Sequence, residues 1–337
     1  MLTASDLIRL PFPPDLTEGG IAHTVHTLPK LAQIDPAPTF ERLRRRVANA
    51  AVELAFRRHL SEQDVPYEVR GAEPFSEPDR YDVLLGGHRC ELHSFLIRDR
   101  AQIADMRRDP NLLLRAPALV PSDQHAAHGY QRDGLYLFAF AAALTASSLE
   151  ELRKVEAAGQ PAYFLHVMPA AWSRPQTWTP LGPLALKSEA AEALTVELGG
   201  QGEGREFLSC QVELPAGARV QVEAPFFALT SVHIPKLFEG RLGLHCPRRR
   251  EMHIIQWNEW GNLWIYGMEI VLAGYVQRRV FQRRSSHVQA GARVFQYRQT
   301  PEKHLALPVA DLSPLGGLLE QVRAWETARA NPQPPSP

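Results

Sequence analysis

Two acidic residues flank a short glycine turn in the segment from residue 81 to residue 94. If Gly86 and Gly87 form a two-residue hairpin turn, Asp82 faces Glu91 across the two strands. Directly opposed strand residues have Cβ atoms about 4.5–5.5 Å apart. Two carboxylates at this separation repel each other unless a cation or a proton lies between them. The segment therefore predicts a divalent-metal site built from Asp82 and Glu91.

The alternation of side chains along a strand adds a third residue to this site. Glu91 and His93 are two residues apart, so they point to the same face. His88 and Cys90 point to the other face, which argues against a zinc site made of clustered histidine and cysteine ligands. Cys90 is then expected to be a small buried residue.

The segment resembles the catalytic core of the PD-(D/E)xK, or restriction-endonuclease-like, nuclease superfamily. The resemblance covers Asp82, eight intervening residues and Glu91-Leu92-His93, preceded by a predicted helix and strand. It implies a mixed-sheet α/β core in which Asp82, Glu91 and the next main-chain carbonyl hold Mg²⁺ or Mn²⁺. His93 stands where the family has a lysine that positions or activates the attacking water. The implied activity is hydrolysis of phosphodiester bonds in nucleic acid.

The missing lysine leaves three alternatives open, because the chain has no lysine between Lys30 and Lys154. Either His93 performs the role of this lysine, or an arginine performs it, or the site is no longer catalytic. A neutral imidazole can act as a general base and a protonated one can stabilise charge, and its ordinary pKa is about 6.5. These two roles predict opposite dependence of the rate on pH.

Three further residues are candidates for the same site. Glu53, on the predicted helix from Phe40 to about residue 60, is either a further metal ligand or a solvated surface residue. Gln124 and His125, in the long connection after residue 98, either contact the substrate or are simply solvated.

Composition limits the classes of function. The 337 residues carry 37 basic and 37 acidic side chains, so any contact with nucleic acid depends on a local patch. Three widely spaced cysteines argue against a disulfide framework and favour a cytoplasmic location. The longest apolar run, residues 135 to 143, begins with a predicted buried strand at residues 135–140 and is too short to span a bilayer, so no membrane partner is expected.

The sequence predicts four regions. Residues 1–38, with six prolines, are expected to form an extended arm, and residues 39–170 the nuclease-like domain. Residues 171–325 read as a mostly antiparallel, sandwich-like β domain, and residues 326–337 as a disordered tail. An aromatic cluster of Trp257, Trp260, Trp264 and Tyr266 lies in the β domain, either in its core or on a binding surface.

Three hypotheses for function follow from these patterns. The first is a Mg²⁺- or Mn²⁺-dependent endonuclease that uses Asp82, Glu91 and His93. The second is a catalytically inactive nuclease-like fold that serves as a structural or partner-binding subunit, with a protein partner or a second copy bound through the β-rich domain. The third is a carbohydrate- or protein-binding β-sandwich module in which the hairpin match is accidental.

Overall fold

The computed structural model describes residues 2–34, 38–69, 83–127, 133–223 and 225–330. The chain is a mixed α/β protein with several sheets. It divides into two compact units. Unit 1 comprises Met1–Leu16, Ala48–Leu144 and Tyr266–Pro337, and unit 2 comprises Thr17–Val47 and Thr145–Ile265. The units are interleaved along the chain, whereas the sequence predicts consecutive domains with a boundary between residues 170 and 171.

The helices and strands of the described residues are numbered in chain order. The α-helices are α1 Pro14–Ile34, α2 Phe40–Glu62, α3 Arg100–Arg108, α4 Asn111–Arg115, α5 Ser122–Ala127, α6 Leu149–Ala157, α7 Ala170–Ser173, α8 Arg278–Arg284 and α9 Leu315–Ala330. The strands are β1 Ile8–Leu10, β2 Val83–Leu85, β3 His88–Ile97, β4 Pro117–Pro121, β5 Leu135–Thr145, β6 Phe164–Val167, β7 Leu184–Ser188, β8 Leu194–Gln201, β9 Phe207–Leu214, β10 Arg219–Val222, β11 Ala228–Ile234, β12 Leu242–Cys246, β13 Glu251–Ile255, β14 Gly261–Asn262, β15 Ile265–Gln277, β16 Ser286–Val288 and β17 His304–Pro308.

Helix α1 occupies most of the region that was expected to be an extended arm. Pro14 takes the first helical position, where the missing N–H would have no partner in any case. Ile21, Leu28 and Leu31 recur on one helical face and are buried. The extended arm predicted from the prolines is therefore wrong. One of the prolines starts the helix, and apolar residues at helical spacing continue it.

The hairpin that carries the candidate site forms in the predicted register. Leu85 pairs with His88 and Val83 pairs with Cys90, in an antiparallel ladder between β2 and β3. Gly86 and Gly87 have φ values of 52° and 79°, the left-handed region that a two-residue primed turn requires. Cys90 is fully buried, as expected for a small apolar residue.

Strand β5 forms the centre of unit 1. Its residues Leu135 to Ala143 are buried without interruption, as predicted for the apolar run. The sheet has the strand order β1-β15-β5-β3-β2, and β3 runs parallel to β5 from Cys90 opposite Leu135 to Ile97 opposite Ala142. A strand covered on both faces buries every side chain, which is why the alternation seen in β3 is absent from β5.

The C-terminal part of the chain also belongs to this core. Strand β15 lies between β1 and β5, and β17 pairs with β4 in a separate three-stranded sheet of unit 1. Residues 266–325 therefore complete the mixed sheet and its neighbours, although the sequence predicts that they belong to the β domain. Helix α9 continues to Ala330, beyond the predicted start of the tail at residue 326. Residues 331–337 lie outside the described residues.

The described residues of unit 2 form two antiparallel sheets, with strand orders β10-β7-β12-β13 and β14-β6-β11-β8-β9. The antiparallel strands expected for a β-rich region are present between residues 194 and 255. Trp260 and Trp264 of the aromatic cluster are buried, whereas Trp257 is exposed. Packing in the interior therefore accounts for two of the tryptophans.

Candidate functional site

The carboxylate of Glu91 is paired with a buried arginine in unit 1. Arg278 Nη2 lies 2.7 Å from Glu91 Oε2 and donates a hydrogen bond to it. The two side chains are only 3% and 8% exposed, respectively. Arg278 is the first residue of α8 and directly follows β15, while Glu91 lies on β3. The centre of the candidate site is thus a buried, hydrogen-bonded ion pair.

The other oxygen of Glu91 is also engaged. The side-chain amide of Gln124, on α5, donates a hydrogen bond to Glu91 Oε1. His93 Nε2 lies 3.4 Å from the same oxygen, which confirms that Glu91 and His93 share one face of β3. Both oxygens of the carboxylate therefore have partners within the protein.

Aromatic side chains surround this polar cluster. His93 packs edge-on against Tyr136, with ring centres 5.1 Å apart, and stacks on Phe138 at 5.6 Å. The guanidinium carbon of Arg278 lies 4.9 Å from the centre of the Tyr136 ring, a cation–π contact. Burial raises the pKa of the Tyr136 hydroxyl above its usual range, and the nearby charge of Glu91 raises this pKa further. The surroundings of Glu91 are thus apolar and shielded from water.

A glycine provides the space for Arg278. A Cβ atom on Gly134 would lie 2.9 Å from Arg278 Nε and 3.1 Å from its Cδ. The backbone N–H of Arg278 also donates a hydrogen bond to the Gly134 carbonyl, over 2.9 Å. The residue just before β5 therefore helps to hold the arginine in place.

The structure brings together some of the predicted site residues. Glu91, His93 and Gln124 form one cluster, and His125 Nδ1 lies 2.9 Å from the Tyr136 hydroxyl at its margin. Asp82 lies outside the described residues, so the predicted partner of Glu91 across the hairpin is not placed. Glu53 forms an ion pair with Arg57 one turn later on α2, the arrangement usual for a helix surface.

Sequence reasoning missed Arg278, the residue that holds Glu91. The two residues are 187 positions apart, and Arg278 begins a segment with several other arginines. The absence of a lysine near the hairpin is compatible with an arginine from elsewhere in the chain taking the lysine's place. No local pattern, however, distinguishes Arg278 from the neighbouring arginines.

The fit of a divalent cation can be judged from the donors that remain. Hard cations such as Mg²⁺ prefer oxygen ligands, among them carboxylates. An ion at Glu91 would have to share the two carboxylate oxygens with Arg278 and Gln124, each of which already donates a hydrogen bond to one of them. Among the residues that the structure describes, no three or more histidine, cysteine, aspartate or glutamate side chains form a group that could hold a metal ion. The described part of the site therefore does not fit Mg²⁺ without rearrangement.

Comparisons with known proteins returned no match to a family model, a curated protein or a solved structure. No helix in the described part of the chain is both long and apolar enough to cross a membrane.

Proposed function

We propose that this protein is a non-catalytic, partner-binding subunit built on a nuclease-like core. The observation that carries this proposal is the commitment of Glu91 to Arg278 and Gln124 within an aromatic interior. The β2–β3 hairpin, followed by helices and the parallel strand β5, supports the restriction-endonuclease-like assignment of that core. In this proposal, Glu91 stabilises the fold instead of holding a catalytic ion.

The electrostatics support this role for Glu91. Taking a carboxylate out of water costs several kcal/mol unless a partner compensates its charge, and Arg278 supplies that compensation. An ion at Glu91 would leave the Arg278 guanidinium beside a second cation in an interior with little water. The repulsion of two cations about 4 Å apart is of the order of 4 kcal/mol for each unit of added charge at an effective dielectric constant of about 20.

A surface for a partner lies in unit 2. Met252 and Ile254, on one face of β13, are 68% and 39% exposed, and Trp257 follows at 45%. Strand β13 is at the edge of its sheet. Exposed apolar edge strands are sites at which another strand can pair.

We take a second copy of this chain as the partner. Antiparallel pairing of two β13 strands brings the basic residues 248–250 of each copy toward Glu259 of the other.

The absence of catalysis is tested by incubating the pure protein with single- and double-stranded DNA and RNA, in Mg²⁺ or Mn²⁺. Asp82→Ala serves as the comparison. We expect no metal-dependent cleavage that the substitution abolishes. Cleavage by the wild type that disappears in Asp82→Ala would overturn the proposal and establish the nuclease.

Self-association is tested by sedimentation velocity. We expect a dimer for the wild type and a monomer for Met252→Lys/Ile254→Lys. Met268→Lys is the matched control, since Met268 is an exposed methionine on β15 of unit 1. A wild-type monomer at all concentrations would contradict pairing through β13.

The metal-dependent nuclease remains the second candidate, and two observations favour it. The hairpin register expected from the sequence holds as far as Val83 opposite Cys90. Arg278 also supplies a cationic group next to Glu91, as required if an arginine replaces the missing lysine. If cleavage is found, a rate that falls above about pH 7 assigns His93 as an imidazolium and a rising rate assigns it as a base.

A further inference from the structure

Unit 2 holds a cavity of about 280 Å³, lined mainly by side chains from residues 173–178 and from the turn between β8 and β9. Two arginines and a tryptophan line it, Arg174, Arg205 and Trp178. Its other polar side chains are uncharged and belong to Ser173, Gln176 and Gln201. The cavity shares no residue with the Glu91 cluster or with the exposed face of β13, so the proposed function does not explain it.

The guanidinium groups of both arginines are available to a ligand. Arg174 and Arg205 are exposed, and within the described residues neither guanidinium donates a hydrogen bond or forms an ion pair. Arg241 of the same unit, by contrast, is hydrogen-bonded to the carboxylate of Glu189 through two of its nitrogens. A guanidinium presents five N–H donors in a planar fork that matches the oxygens of a phosphate or a carboxylate. The cavity therefore offers two sets of donors that have no acceptor in the described part of the chain.

Trp178 positions the guanidinium of Arg205. The guanidinium carbon lies over the indole ring, 4.4 Å from its centre, in a cation–π contact. The indole is itself held in place, because its Nε1 donates a hydrogen bond to the Glu203 carbonyl over 2.7 Å and its ring packs on Phe227 at 5.6 Å. A cation–π contact uses no oxygen acceptor, so Arg205 is oriented while its N–H donors stay available.

The backbone of Arg205 also indicates a role for this side chain. Its φ of 65° is in the left-handed region, which is unfavourable for residues with a Cβ. The side chain of Gln201, only 6% exposed, donates a hydrogen bond to the Arg205 carbonyl over 2.9 Å and so holds this conformation. Glycine would adopt it without strain. Strained residues of this kind cluster at ligand sites, where the side chain is needed.

The charges around the cavity favour an anion. Arg248 and Arg249 donate hydrogen bonds to the main-chain carbonyls of residues 179–180, which directly follow Trp178. Among the described residues, no aspartate or glutamate lines the cavity. The carboxylate of Glu206, next to Arg205 in the chain, lies against the glycines of the turn and forms no ion pair with that arginine in the described structure. Positive charge therefore dominates this part of unit 2.

We propose that this cavity binds a small phosphate monoester of about the size of a pentose phosphate. A phosphate monoester carries a charge of about −1.5 to −2 near pH 7 and three acceptor oxygens, which suits two guanidinium groups better than a single carboxylate does. The volume of about 280 Å³ is at the lower end for ligand cavities, so the ligand is small. The hydroxyl of Ser173 and the amides of Gln176 and Gln201 suit the hydroxyl groups of a sugar.

The test is isothermal titration calorimetry of the full-length protein with four probes. These are ribose 5-phosphate, ribose, inorganic phosphate and an oligonucleotide with a terminal phosphate. We expect the sugar phosphate to bind at one equivalent and ribose to give no signal, since ribose lacks the charged group. Inorganic phosphate should bind more weakly than the sugar phosphate, because it leaves the uncharged polar side chains unused. The oligonucleotide should bind no more tightly than the sugar phosphate.

Three variants locate the binding site. Arg174→Gln and Arg205→Gly should each weaken binding of the sugar phosphate by at least about tenfold, since each removes charged hydrogen-bond donors. Arg205→Gly should keep or raise the Tm, because glycine suits a φ of 65°, so its loss of affinity would not reflect misfolding. Arg153→Gln is the matched control, an exposed arginine on α6 of the same unit, and should leave binding unchanged.

Four results would overturn the proposal. The first is no binding of the sugar phosphate to the wild type at about 1 mM ligand. The second is equal binding by the wild type, Arg174→Gln and Arg205→Gly. The third is binding of ribose or inorganic phosphate as tight as that of the sugar phosphate. The fourth is tighter binding of the oligonucleotide, which would assign the cavity to the ends of nucleic acids.

Discussion

Replacement of Arg278 by methionine would test whether the ion pair with Glu91 holds unit 1 together. The substitution keeps an unbranched side chain and removes the charge, leaving Glu91 buried at 8% exposure beside Gln124 and His93. Two unit charges about 4 Å apart attract each other by about 4 kcal/mol at an effective dielectric constant of about 20. Removing one partner of a buried pair costs about 3–5 kcal/mol, because the remaining charge has lost its compensation. We expect Arg278→Met to lower the free energy of unfolding by this amount.

Urea denaturation of the wild type and four variants measures the effect. Arg279→Met is the matched control, since Arg279 is the exposed neighbour of Arg278, and it should change stability by less than about 0.5 kcal/mol. Glu91→Leu alone should destabilise, and Glu91→Leu/Arg278→Met should be no less stable than either single variant. A coupling energy of at least about 2 kcal/mol is therefore expected from the cycle. Stability of Arg278→Met within about 1 kcal/mol of the wild type, or strict additivity in the cycle, would refute the reasoning.

Three further predictions concern stability. Gly134→Ala should cost about 1–3 kcal/mol in urea denaturation, because its Cβ would displace the buried Arg278 side chain, whereas Gly317→Ala in α9, with open space around it, should be neutral or stabilising. Equal stability of the two variants would contradict the proposed role of Gly134. Gly87→Ala should cost about 1–2 kcal/mol, since its φ of 79° is unfavourable for residues with a Cβ; an unchanged free energy of unfolding would argue against this turn. Burial lowers the pKa of His233 from 6.5 to about 4, so the unfolded chain binds its proton more readily, and stability should fall as the pH drops from 6.5 to 4. His233→Gln should remove about 2–3 kcal/mol of this fall, and equal pH profiles of variant and wild type would exclude the assignment.

Local patterns in the sequence predicted much of the candidate site's framework. The two glycines determine the hairpin turn, and the turn length then sets the pairing of β2 with β3. Strand alternation placed Glu91 and His93 on one face, and the apolar run predicted the buried strand β5. These features depend on residues that are close in sequence, so their physical cause is visible there.

Tertiary structure alone decided what Glu91 contacts. Arg278 reaches it from 187 residues away, because β15 enters the same sheet as β3 and ends next to Gly134. The same holds for His166 and His253 of unit 2, which come from two different sheets and whose Nε2 atoms are 2.9 Å apart. No pattern of local spacing encodes such contacts, since they depend on the order in which distant strands pair. The sequence determined which side chains share a face, and the fold determined which charges meet.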